Sequence, residues 1–176
     1  MATVNNINVN TTGSFPHLYL STDPTAFTGS QATFSGLDLL PVTCLTDVTI
    51  NNSTGIYSFV DFCGPDMKKL TTPADNSIDA NIVLDSVEFF GDATHTPATG
   101  APFYGVNGLS SSKIEVQFIL VLNGDDSVAD GIGKYYYQGK GFITSIAPTV
   151  NPDAPVWVSP ISIAVTGSFT SGTIVA

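Results

Sequence analysis

The sequence predicts an all-β protein, a β-sandwich or flattened barrel with at most one short flanking helix. Three observations carry this reading. Thr, Val and Ile recur along the chain, and β-branched side chains suit a pleated surface. Glycine (16 residues) and proline (11 residues) punctuate the apolar runs as turn formers. Several of those runs alternate apolar and polar residues with the period of a strand. At 176 residues and 43% hydrophobic, the chain can bury one substantial core and is far too apolar to stay unfolded.

The elements follow in order. Residues 1–36 are rich in Asn, Thr, Ser and Gly around the apolar patch "FPHLYL". They are expected to form an extended arm or a loosely held edge strand, leaving 37–176 as a single β-domain. "LLPVTCLTDVTINN" (39–52) alternates as a strand, and "STG" turns it into "IYSFVDF" (56–62). "CGPDMKKLTTPADN" (63–76) reads as a loop broken by Gly64, Pro65 and Pro73.

"SIDANIVLDSVEFFG" (77–91) reads as one long strand. Ile78, Ala80, Ile82 and Leu84 share one face, and Asp79, Asn81, Val83 and Asp85 share the other. A long connection over 92–112 leads to "KIEVQFILVLNG" (113–124). There Lys113, Glu115 and Gln117 oppose Ile114, Val116, Phe118 and Leu120. The polar face stops at Ile119 and Val121, so this strand should change surroundings along its length. "DDSVADGIGK" (125–134) is the one plausible helix, kept short by Gly131 and Gly133. The strand "YYYQGKGFITSI", the loop "APTVNPDAP" and a final β segment, "VWVSPISIAVTGSFTSG" (156–172), complete the chain. No internal repeat is present.

Charge excludes one class of function. Five lysines and no arginine stand against thirteen aspartates and two glutamates, for a net charge of −10. Binding nucleic acid through its phosphates needs clustered cations, which this chain lacks. The N-terminus has neither the basic nor the apolar region of a signal peptide, and no run approaches a membrane span. Cys44 and Cys63 read as reduced, partly buried thiols rather than a disulfide framework.

The candidates for chemistry do not combine into a site. Gly139, Lys140 and Gly141 look like part of a phosphate loop, but no Ser or Thr follows the lysine and the context is a strand. Glycines there suit close backbone approach instead. His17 and His95 have no His or Cys partner at ligand spacing, and Asp125, Asp126 and Asp130 miss the calcium-loop pattern. Asp79 and Asp85 lie too far apart along a strand to share a proton. No catalytic, cofactor or metal-ligating set is expected, and the chain does not read as an enzyme.

Two blocks carry a resemblance. "PVTCLTDVTINNSTGIYSFVDFCGPDMKKLTTPADNSIDANIVLDS" (41–86) is similar to the N-terminal half of the major tail tube protein of long-tailed, non-contractile bacteriophages. In that family a "PV-C-T--SI--ST" strand and turn lead through a loop to a strand ending in Asp. "GKGFITSIAPTVNPDAPVWVSPISIAVTGSFT" (139–170) resembles the family's C-terminal "G-A-ITS" strand, its loop and its last strand. The resemblance implies a β-sandwich or flattened barrel with one helix. It also implies that sheets join between copies in hexameric rings, and that rings stack into a tube through which DNA passes during ejection. The family's helix, residues 1–36 and the 92–112 connection have no clear counterpart.

On that reading the chain is a structural virion protein, made in the bacterial host cytoplasm and located in the tail. Its partners are other copies of itself and the tape measure, tail tip and terminator proteins. DNA passes without specific binding, and neither cofactor nor membrane is involved. An acidic wall suits such passage, since it adds no phosphate affinity. In a ring of joined sheets the polar strand faces should line the channel. That places Asp79, Asn81, Asp85, Glu115 and Gln117 at the lumen, with Lys113 near one rim. Phe15, Leu18, Tyr19 and Leu20 of the arm, with Phe103 and Tyr104 of the connection, should make inter-subunit or inter-ring contacts. The alternative is a β-sandwich decoration or adhesin module on a virion surface.

Overall fold

Alternating runs pair into antiparallel ladders throughout a computed structural model, which describes residues 15–24, 27, 39–42, 45–60, 67–72, 75–91, 105–124, 135–151, 153 and 156–173. The strands are β1 (Phe15–Ser21), β2 (Leu40–Val42), β3 (Leu45–Asn51), β4 (Gly55–Val60), β5 (Met67–Thr72), β6 (Asn76–Val83), β7 (Val116–Gly124), β8 (Tyr135–Ile146), β9 (Val158–Val165) and β10 (Thr170–Thr173). Two short helices, α1 (Ser86–Phe90) and α2 (Val106–Ser112), lie between β6 and β7. Among the described residues no helix is long and apolar enough to cross a membrane.

One large sheet runs β2-β1-β7-β8-β9-β6-β3, with β10 paired to the first part of β8 and β9 to its second part. The two ends of that order are neighbours in sequence. Val42 ends β2 and Leu45 begins β3, so their Cα atoms are at most about 11 Å apart. Laid flat, six strand spacings would separate them by roughly 29 Å. The sheet therefore curls until its edges approach, as the flattened-barrel expectation requires.

The concave side holds the main core. Alternate residues supply it: Leu18 and Leu20 from β1, Ile78, Ala80 and Ile82 from β6, Val116, Phe118 and Leu120 from β7, and Ile161 and Ile163 from β9. Phe89 of α1 with Val106 and Leu109 of α2 add to the same cluster. Each large side chain so buried contributes about 1.5–3 kcal/mol. A second, smaller cluster lies on the other face of β1, β7 and β8. It comprises Tyr19, Phe27, Ile119, Val121 and Tyr136. Ile119 and Val121 thus do change surroundings, as their break in the polar face indicates.

The structure corrects several element assignments. Residues 15–21 are not an arm or edge strand: β1 pairs with both β2 and β7 inside the sheet. Its short run "HLYLS" is buried on both faces, which a polar flanking composition disguises. The expected loop 63–76 contains β5, which pairs residue for residue with β4. The expected long strand 77–91 ends at Val83, and "SVEFF" forms α1. The expected connection 92–112 contains α2. The expected helix at 125–134 lies outside the described residues.

The glycines of the Gly-Lys-Gly segment have packing reasons. A Cβ on Gly139 would meet the Phe118 ring at 2.9 Å, and one on Gly141 would meet the Ala164 carbonyl oxygen at 2.2 Å. The first leaves room for the tip of the Phe118 ring against β8, and the second lets β9 come close enough to pair.

Candidate functional site

The outward face of β3, β6 and β9 is a polar surface built by register. Asp47 stands opposite Asn81, Thr49 opposite Asp79, and Asn51 opposite Ser77 across β3 and β6. On the other side Asp79 faces Ser162 of β9. Because Ile78, Ala80 and Ile82 must face the core, Asp79 and Asn81 are committed to the opposite side.

Hydrogen bonds knit this face together. Ser162 Oγ donates to Asp79 Oδ1, while Asn51 Nδ2 donates to Asp79 Oδ2 at 2.7 Å. Ser77 Oγ also donates to Asp79 Oδ2, at 3.3 Å. Asn81 Nδ2 donates to both oxygens of Asp47, at 3.0 and 2.9 Å. Neutral amides and hydroxyls therefore hold both carboxylates, and no lysine occurs on β3, β6 or β9. The surface presents negative charge in fixed positions, and among the described residues no lysine lies on its strands.

The other expected wall residues fall elsewhere. Gln117 shares the outward side but sits on β7, three strand spacings or roughly 14 Å from β6. Glu115 lies just ahead of β7 and pairs with Lys140 Nζ at 3.7 Å, a contact exposed enough to be worth little. Asp85 is not on the strand at all. Its Oδ1 accepts the Glu88 N–H at 3.1 Å and its backbone carbonyl accepts the Phe89 N–H at 3.0 Å, so it starts α1. Lys113 ends α2 in the left-handed region, at φ 52°, rather than extending the β7 face. The structure thus brings Asp79 and Asn81 together and sets Glu115, Gln117 and Asp85 apart from them.

The expected contact residues divide too. Leu18 (1% exposed), Tyr19 (6%) and Leu20 (0%) pack into the chain's own two clusters, which leaves no surface for a neighbour. Phe15 lies in β1 opposite Gly124. Phe103 and Tyr104 lie outside the described residues, as do Cys44, Cys63, His95 and the Asp125–Asp126–Asp130 group. Among the described residues no group of His, Cys, Asp and Glu is arranged to hold a metal.

Sequence reasoning missed the β4–β5 hairpin, whose second strand is exposed at every position. The signal was present. "GIYSFV" and "MKKLTT" are equal in length and flank a Gly-Pro-Asp segment, a hairpin pattern that the prolines around it obscure.

No family model matches the sequence, and no curated protein matches it. Solved structures give distant likenesses. A chain in the virion of a native gene transfer agent particle is 13% identical, with a TM-score of 0.49 over 75% of this chain and 87% of that one. A chain in the six-fold symmetrised baseplate of the anti-feeding prophage is 5% identical, with a TM-score of 0.49 over 96% of this chain and 99% of that one. A chain in the tail of an empty gene transfer agent particle is 14% identical, with a TM-score of 0.42 over 89% and 96%. With every TM-score below 0.5, these likenesses carry no argument about what the chain does.

Proposed function

We propose that this chain is a tail-tube-type structural virion protein. Its copies join sheet to sheet into hexameric rings, the rings stack into a tube, and DNA travels through that tube to the host. The observation that carries the reading is the Asp79–Asn81 face. A self-satisfied acidic surface without lysine can lie close to a duplex without gripping it, because no counterion is released from phosphate.

Two further features support it. The sequence blocks that resemble the tail tube family supply β3 to β6 on one side and β9 on the other, and β6 and β9 pair along their full length. The blocks therefore meet in one ladder rather than lying in unrelated places. In addition, β3 ends the order of the large sheet, and although that edge curls toward β2 no ladder joins the two, so its backbone is unpaired on that side among the described residues. Tape measure, tip and terminator proteins are the further partners on this reading, and the virion tail is its location.

Electron microscopy of the purified chain tests the proposal. Six-fold rings or hollow tubes are expected. A compact monomer at high concentration, unchanged by an initiating tail-tip complex, would overturn it and favour a decoration or adhesin module.

A further inference from the structure

Where β8 begins, the concave side of the sheet holds a cavity. Alternation along β8 sends Tyr135 and Tyr137 to that side, since Tyr136 belongs to the second cluster on the other face. β10 pairs there, with Thr173 opposite Tyr135 and Ser171 opposite Tyr137. With Leu122 of β7, these four side chains line a space of about 250 Å³. The sheet itself closes the floor at Tyr136 and Gly172. A Cβ on Gly172 would meet the Tyr136 hydroxyl at 3.1 Å, so those two residues share the opposite face.

The lining is rigid on one side and open on the other. Phe169 meets the Tyr137 ring edge-on, with centroids 6.0 Å apart, and meets Phe118 of the main core at 6.1 Å. Tyr137 is thereby anchored to the core. Tyr135, 49% exposed, stands at the rim. No charged side chain lines the space. Among the described residues, the hydroxyls of Tyr135, Tyr137, Ser171 and Thr173 have no hydrogen-bond partner.

These features select a class of ligand. The electron-rich faces of tyrosine rings attract C–H groups, and four free hydroxyls can each donate or accept. A ring that is apolar on one face and hydroxylated around its edge satisfies both. A purely apolar ring would strip water from the hydroxyls and leave them unpaired. An anionic group would find no cation in the lining and would be repelled by the chain's net charge of −10. The space is smaller than the roughly 300–1,000 Å³ of sites for larger ligands, so it admits one ring and not a longer segment.

We propose that this cavity binds a single uncharged sugar ring. The ring stacks its apolar face on Tyr135 and turns its hydroxyls toward Tyr137, Ser171 and Thr173. This glycan-binding activity goes beyond tube building and does not depend on it.

Saturation-transfer difference NMR tests the site, because it detects weak ligands whether the full-length chain is free or assembled. The probes are the methyl glycosides of glucose, galactose, mannose, rhamnose and N-acetylglucosamine, each at about 5 mM, since one small ring should bind with a Kd of about 1–10 mM. At least one should receive saturation at its ring protons. Cyclohexanol, which lacks the hydroxylated edge, and methyl glucuronoside, which is anionic, should receive far less. Tyr135→Ala should abolish the transfer, and Ser171→Ala with Thr173→Val should weaken binding about tenfold or more. Circular dichroism confirms that each variant folds, and Thr173→Val, which keeps the side-chain shape, carries the test alone should Tyr135→Ala unfold. The site is overturned by transfer to none of the five glycosides, by transfer that survives these substitutions, or by either control matching the best sugar. None of these results touches the tube reading, which electron microscopy decides.

Discussion

Gly141 on β8 and Ala164 on β9 approach so closely that a Cβ on Gly141 would lie 2.2 Å from the Ala164 carbonyl oxygen. Backbone, not a movable side chain, occupies that space, so Gly141→Ala must push the two strands apart. A loss of about 2–3 kcal/mol is expected, in the range of overpacked sites. Gly139→Ala meets only the edge of the Phe118 ring and should cost less, about 1 kcal/mol. Urea unfolding of both variants checks the order; equal midpoints would show that β8 and β9 are not packed as described.

Asp79→Lys with Asn81→Lys places two cations on the face that now holds none. Both positions are at least partly exposed, so the fold should survive. On the proposed tube reading, assembled tubes carrying the pair should eject DNA more slowly than wild type, and more so at low salt, where screening is weaker. Ejection at wild-type speed at every salt concentration would put this face on the outside of the tube.

Asp85→Ala separates the capping role from the wall role. Loss of the bond from the Glu88 N–H should lower stability by about 0.5–2 kcal/mol. It should leave the salt dependence of ejection untouched, because Asp85 lies past the end of β6. A changed salt dependence would return Asp85 to the wall.

His17 is 3% exposed, and among the described residues neither ring nitrogen has a hydrogen-bond partner. Its ring stacks with Tyr19, with centroids 6.2 Å apart. An unsatisfied buried polar group costs about 1–3 kcal/mol, so His17→Phe, which keeps the stack, should raise the thermal midpoint. A variant that melts lower than wild type would mean that the imidazole makes a favourable interaction.

Much of the fold was legible because period-2 patterning is a local property. Ile78, Ala80 and Ile82 against Asp79 and Asn81 identify the buried and solvated faces of β6 before any partner strand is known. The break at Ile119 likewise signals the second cluster. The pattern failed where segments are short or doubly buried. "HLYLS" has no polar face to alternate with, and "SVEFF" is too short to show a helical period.

By itself, then, the sequence determined an all-β chain, the two faces of its long strands and an acidic surface poor in cations. Only the tertiary structure decided which polar residues stand together. Asp79 meets Ser162, which is 83 positions away, because β6 and β9 share a register. Asp85, six positions from Asp79 on what reads as the same face, is lost to that surface because the chain turns into α1. Alternation is written into neighbouring residues, but strand order and strand ends are set by how distant apolar faces close one core, and no local pattern encodes that.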